Sequence, residues 1–238
     1  CEFDKYAINS YNAIHGTNFE TSDITKITAD DLGIVDTDKY CYIMTYSFPC
    51  QDLSLAGKQK GMAKGENTRS GLLWEVERLL NECTELPQIL LMENVTQIHS
   101  KKNMEHFQEW MDYLESIGYS NYWQDLNSKN HGVPQNRDRT FMVSIFGKYT
   151  YEFPKEIPLK LRLKDMLEKE VDEKYYLSDK GIEYVIKREG KYTQLCDDTT
   201  DIAKSALTAK GNNNWTGNFV INPAINGDIP KTVRAGGR

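Results

Sequence analysis

Three short segments hold side chains able to do covalent chemistry. Ser47-Phe48-Pro49-Cys50-Gln51 places a thiol where the apolar run Cys41-Tyr42-Ile43-Met44-Thr45-Tyr46 passes into a polar loop. Ile89-Leu90-Leu91-Met92 runs out into Glu93-Asn94-Val95, and Pro134-Gln135-Asn136-Arg137-Asp138-Arg139 leads into Thr140-Phe141-Met142-Val143-Ser144-Ile145-Phe146. Each apolar run reads as a short strand, the first of them buried. A thiol at a strand's end can act as a nucleophile, whereas one inside a strand is usually packing. In an open α/β sheet the ends of neighbouring strands line one crevice. Thiol, carboxylic acid and an arginine pair gathered there suit covalent attack on an electron-poor ring. The thiolate adds, the acid meets charge on a ring nitrogen, and arginine holds a carbonyl or phosphate.

The elements that must position these groups are readable from periodicity. Apolar runs alternate with helix-like segments over the first 150 residues, which predicts a mostly parallel sheet covered by helices. Asp4 is placed to cap a helix through about Ile14, with Ala7, Tyr11 and Ile14 on one face and Gly16 as its stop. Leu72, Leu73, Val76, Leu79 and Leu80 recur at helical spacing. So do Phe107, Met111, Leu114 and Ile117, up to Gly118, and both stripes are expected in the core. Trp74, Trp110 and Trp123 read as packing. Beyond Phe153-Pro154 the pattern weakens, with a short helix expected over Leu161 to Leu167 and another from Ser178 through Ile186.

The 238 residues suffice for one large domain, or a large one plus a small one. No apolar run approaches a membrane span and no signal peptide is visible, so no membrane association is expected. Cysteines at 1, 41, 50, 83 and 196 are odd in number and form no CxxC pair, which fits reduced thiols in a cytoplasmic protein. His15, His99, His106 and His131 are scattered, and no metal site is expected. The formal charge of −6 argues mildly against a nucleic-acid partner, since neutralising phosphate asks for a basic surface. Its distribution is uneven, however: Lys58, Lys60, Lys64 and Arg69 flank the segment after Cys50, while Asp165, Glu168, Glu170, Asp172 and Glu173 crowd a distant, solvated one.

Pro49-Cys50-Gln51, Glu93-Asn94-Val95 and Gln135-x-Arg137-x-Arg139, in that order, closely resemble the DNA cytosine-5 methyltransferases of bacteria and phages. Ser54-Leu55-Ala56-Gly57-Lys58-Gln59-Lys60-Gly61 resembles that family's mobile catalytic loop, and Arg69-Ser70-Gly71-Leu72-Leu73-Trp74 the start of the next helix. Glu2-Phe3-Asp4-Lys5-Tyr6-Ala7 is similar to the segment with the ribose-binding acid, and Ser22-Asp23-Ile24 to the one that holds adenine.

The resemblance implies an α/β, Rossmann-like S-adenosylmethionine-dependent methyltransferase sheet, incomplete in this chain, plus a smaller target recognition domain. Residues 1–150 would form the catalytic domain and 151–238 the start of the recognition domain. Double-stranded DNA is the implied partner, with a flipped-out cytosine as target. By resemblance, Cys50 adds to C6, Glu93 contacts N3 and the amino group, Arg139 holds the O2 side, and Arg137 supports the site. Asn94 would position the cysteine loop, and Gln51 would fill the space the base leaves. C5, made enamine-like, takes the sulfonium methyl of S-adenosylmethionine, after which proton loss and thiolate elimination complete the cycle. Glu2 would accept the cofactor's ribose hydroxyls and Phe3 would lie on the adenine. Asp23 would accept from the adenine amino group, or serve as a turn cap, while Ile24 and Leu72 pack on the ring. The basic set around the loop would meet phosphate, and the stretch Lys210 to Asn218 is either a surface loop or a DNA-contacting one.

The family's Phe-x-Gly-x-Gly motif belongs before Glu2 and its closing segments beyond Arg238. A missing chain segment or a second polypeptide is therefore expected, and residues 1–238 alone should be inactive. A cognate restriction endonuclease is a further possible partner. A silent DNA-binding relative is disfavoured by the presence of Cys50, Glu93 and Arg139 together. A cysteine hydrolase would need a histidine paired with Cys50, and none stands in such a context.

Overall fold

A computed structural model describes residues 1–49, 70–167, 172, 176–188, 193–197, 199–203, 217–221 and 232–234. Cys50, Gln51, the lysines at 58, 60 and 64, Arg69, and most of the Lys210 to Asn218 stretch lie outside them. The chain divides into two compact units: Cys1–Asp125 with Arg139–Phe153, and Leu126–Asp138 with Pro154–Arg238.

The first unit is organised by a four-stranded sheet of order β1-β2-β4-β3, formed by β1 (Ile43–Tyr46), β2 (Ile89–Asn94), β3 (Tyr119–Asn127) and β4 (Asp138–Phe146). β1 runs parallel to β2, but β4 runs antiparallel to β2. The expected mostly parallel sheet is thus a mixed one. The physical reason lies in the connections. The β1–β2 and β2–β3 links contain α2 (Leu73–Glu82) and α3 (Met104–Ser116), whereas 128–137 holds only a one-turn helix, too short for a crossover.

β2 alternates cleanly, with Leu90, Met92 and Asn94 buried and the residues between them half-buried. The buried face meets the apolar stripes of the two helices: Leu73, Val76 and Leu80 from α2, and Phe107, Trp110, Met111 and Leu114 from α3. Trp110 is fully buried and donates from Nε1 to the Tyr46 hydroxyl at 2.9 Å. Rings of Tyr46, Trp74 and Tyr113 surround it at 5.5–6.1 Å, in edge and stacked contacts that aromatic quadrupoles favour. Burial drives the Tyr46 phenol well above its ordinary pKa, with Trp110 partly offsetting this. Gly118 ends the α3 turn at φ 103°, where a Cβ would also meet the Phe146 ring at 3.0 Å.

Two packing expectations are corrected. β1 is not buried: Ile43 is 62% exposed, because β1 pairs on one side only among the described residues. Trp123 touches Phe107 and His99 but keeps 38% of its surface exposed. α1 (Lys5–His15) forms as expected, with the Asp4 carboxylate accepting from the Tyr6 and Ala7 amides and Gly16 closing it at φ 64°. Its Ala7, Tyr11 and Ile14 face remains exposed.

In the second unit, β5 (Thr193–Cys196) runs parallel to β6 (Gly217–Ile221), which runs antiparallel to β7 (Thr232–Arg234). α4 (Asp179–Ile186) starts at Ser178, whose hydroxyl accepts from the Gly181 amide. Leu163–Met166 is a single 3-10 turn. Ile182, Val185, Cys196, Ala203 and Phe219 are buried. The segment around Gln135 belongs here because Ala203 exchanges backbone bonds with Pro134 and Asn136.

Candidate functional site

The antiparallel register of β2 and β4 decides which groups meet. Glu93 stands opposite Phe141 and Asn94 opposite Thr140, so the end of β2 meets the start of β4. Side chains alternate across the sheet, which puts Glu93 and Arg139 on one face and Asn94 and Thr140 on the other. Arg139 Nε binds Glu93 Oε1 at 2.8 Å, and both side chains are partly open to solvent. Ser47 Oγ lies 3.5 Å from Glu93 Oε2. A carboxylate and a guanidinium side by side present acceptor and donor edges together, a matched set for a heterocycle carrying an amino group and a carbonyl.

Asn94 is 2% exposed and its Nδ2 donates to the Phe48 carbonyl at 3.1 Å, while its Oδ1 accepts from the Val95 amide. Phe48 itself is buried in the core. The chain is therefore pinned two residues before Cys50, by a ring inside and an amide clamp outside. Cys50 and Gln51 themselves fall outside the described residues. Arg137 belongs to the second unit; its amide donates to Asn127 Oδ1 and its carbonyl accepts from the Ser128 amide.

The N-terminal residues form a separate group. Glu2 Oε1 accepts from the Asp4 amide at 2.9 Å, and the Glu2 carbonyl accepts from the Ser22 amide at 2.8 Å. That second bond brings the Glu2 and Asp23 segments together. Phe3 is 74% exposed. Asp23 Oδ1 accepts from the Thr25 amide and hydroxyl, and these bonds, with Lys26 adding less, hold its carboxyl below the usual range. The turn-cap role weighed from the sequence is thus realised. Ile24 packs against the core, and Leu72 is half-buried in the 3-10 turn before α2.

Sequence reasoning missed Arg78. Its Nη2 donates to the carbonyls of Ile24 (2.9 Å) and Ile27 (3.0 Å), while Nε and Nη1 bind Glu75 and Glu82 at 2.8 Å. The spacing of Glu75, Arg78 and Glu82 on one helix was a readable signal, but the carbonyl targets were not. Also missed was a network of His99, Asp125 and Thr140 beside the Arg139 strand. Among the described residues no cluster of His, Cys, Asp and Glu could hold a metal ion, and no helix is long and apolar enough to cross a membrane.

The sequence profile described as C-5 cytosine-specific DNA methylase matches residues 1–232. The chain is 43% identical over 176 residues to the orphan methyltransferase M.SssI of Spiroplasma monobiae, covering 71% of this chain and 43% of that protein. It is 38% identical over 177 residues to the Type II methyltransferase M2.ScrFI of Lactococcus lactis subsp. cremoris, covering 74% and 44%. The chain thus spans under half the length of these relatives. Among solved structures, the methyltransferase EhMeth of Entamoeba histolytica superposes with a TM-score of 0.73 at 15% identity, over 93% of this chain and 66% of that one. The S. pombe Dnmt2 methyltransferase gives 0.69 at 21%, over 95% and 69%. These likenesses establish the α/β fold.

Proposed function

The chain belongs to the C-5 cytosine-specific DNA methylase family, and from that premise we propose that it supplies the base-modifying centre of a DNA cytosine-5 methyltransferase. The observation that carries the proposal is the Glu93–Arg139 pair beside the Asn94 clamp on Phe48. It sets an acid and a guanidinium together at the end of β2, beside the end of β1 from which the chain leaves toward Cys50. The Cys50 thiolate forms a bond to C6 of a cytosine extruded from duplex DNA. Glu93 meets the charge that arrives at N3 and Arg139 holds the O2 side, while Arg137 keeps the supporting role that the family motif implies. Asn94 sets the approach of the cysteine segment, and Gln51 occupies the gap left by the base. Small residues between Gln51 and Gly61 suit a lid that excludes water during the reaction.

The residues near the N-terminus fit S-adenosylmethionine. Glu2 uses one carboxylate oxygen in a local bond, Asp23 bonds Thr25 through Oδ1 with Lys26 3.9 Å from Oδ2, Phe3 presents an exposed ring next to Glu2, and Ile24 and Leu72 add apolar surface. Glu2 would hold the ribose, Phe3 and Asp23 the adenine. When bound, the cofactor supplies the methyl group that C5 takes. Residues 151–238 would begin target recognition. Because the match covers under half of these relatives' length, the activity is proposed for the polypeptide or complex that contains this chain. A cytoplasmic restriction-modification system with a cognate endonuclease is the setting proposed, an unaccompanied methyltransferase being the alternative that M.SssI's name illustrates.

The test is intact mass of the polypeptide or complex that contains this chain after incubation with 5-fluorocytosine DNA and S-adenosylmethionine. A protein–DNA adduct that disappears in Cys50→Ala supports the proposal. No adduct, or one that survives in Cys50→Ala, sinks it.

A further inference from the structure

We propose that Asp125 is a positioning residue for the Glu93–Arg139 pair, acting through Thr140 and His99. The inference rests on the reading of that pair as the groups that hold the base. Asp125 lies in β3, the neighbour of β4 in the sheet. Its Oδ1 accepts the Thr140 hydroxyl at 2.5 Å, and its two oxygens lie 3.1 and 3.0 Å from His99 Nε2. Thr140 follows Arg139 directly, is fully buried, and stands opposite Asn94 in the last registered pair of β2 and β4. Arg139 therefore sits just past the end of that ladder.

The Asp125–Thr140 bond adds a side-chain restraint to the pairing of β4 with β3. A buried hydroxyl deprived of its acceptor costs free energy, so Asp125 adds to the hold that the Asn94 pairing already has on Thr140. His99 anchors Asp125 in turn. It closes the one-turn helix Thr96–His99 that follows Val95, and its ring lies against Trp123 with centroids 4.8 Å apart. One carboxylate thus joins the turn after Glu93 to the residue after Arg139. Both halves of the ion pair are referenced to it. His99 and Asp125 are 26 residues apart, and Thr140 lies 15 from Asp125, which is why no local pattern announces the network.

Two measurements on Asp125 variants test this. The first is solvent exchange of the Arg139 Nε–H by NMR, assigned by its disappearance in Arg139→Lys. Exchange should be about tenfold faster in Asp125→Ala, and near the parental rate in Asp125→Asn, whose side-chain oxygen still accepts from Thr140. An unchanged rate in a folded Asp125→Ala protein overturns the proposal whatever the activity. If the alanine variant does not fold, Thr140→Val removes the hydroxyl at similar size and is read in the same way.

The second measurement is adduct formation on 5-fluorocytosine DNA. Its rate should fall roughly ten- to hundredfold in Asp125→Ala with DNA affinity kept, as expected for a small misplacement of a catalytic group. That fall should vanish in an Arg139→Ala background, whereas additive losses overturn the route through Arg139. A parent protein with a protected Arg139 Nε–H but no adduct would defeat the functional reading and leave the positioning inference standing.

Discussion

The strand ends that hold Glu93, Asn94 and Arg139 differ from the N-terminal segment that holds Glu2, Phe3 and Asp23 in how their side chains are held. At the strand ends the partners are distant in sequence: Glu93 meets Arg139, and Asn94 reaches the Phe48 carbonyl across 46 residues. At the N-terminus they are local, Asp4 on Glu2 and Thr25 on Asp23, each two residues away. Asn94 is buried while Phe3 is 74% exposed. The difference matches the work proposed for each. Groups that stabilise charge in a transition state must be fixed before the charge appears, and a sheet can fix them. Groups that hold a flat aromatic ligand gain contact area when it arrives, so exposed rings and short capped turns suffice.

The largest expected effect falls on the fixed side. Glu93→Gln should lower turnover by roughly 10²–10⁴ while changing DNA affinity little, because the carboxyl acts on charge that grows as the thiolate adds. Gel-shift affinity beside single-turnover rates decides the matter, and equal losses would make Glu93 a binding group and erase the contrast. Glu2→Ala should weaken S-adenosylmethionine by about ten- to hundredfold, the value of one charge-assisted contact of 1.5–3 kcal/mol, with the modified DNA sequence unchanged. Calorimetry on the full-length protein reads this. An unaltered dissociation constant would remove Glu2 from the cofactor site.

A smaller loss is expected for Arg78→Ala, which frees the Ile24 and Ile27 carbonyls and loosens the turn beneath Asp23. Cofactor affinity should fall about fivefold, near 1 kcal/mol, with the rate at saturation preserved. A fall in saturated rate alone would move Arg78 to the catalytic side of the comparison.

The smallest effect concerns pH. Thr37 donates from its hydroxyl and its amide to Glu85 at 2.6 Å, and these bonds lower the Glu85 pKa from 4.5. A carboxyl depressed on folding stabilises above its unfolded pKa, and that contribution is lost as pH falls through the folded one. Glu85→Gln should therefore flatten the decline of thermal stability below about pH 4.5 and leave the slope above it unchanged. Parallel acid limbs for parent and variant would refute the assignment.

Much of this molecule was legible along the chain. Asp4 and Gly16 bound α1, and Ser178 opens α4, because caps act on backbone groups within a turn of themselves. The stripes of α2 and α3 are core because helical period alone puts them on one face. Family motifs were legible for the same reason, as short runs in fixed order. What sequence could not show depended on partners brought from afar. The antiparallel entry of β4 pairs Arg139 with Glu93. Among the described residues β1 pairs on one side only, which exposes Ile43, and α1 keeps an open face despite its regular pattern. Arg78 clamps two distant carbonyls, and Asp125 draws together His99 and Thr140. Local order came from caps, period and motif; the joining of the site came from the register of β2 and β4, set by packing over the whole sheet.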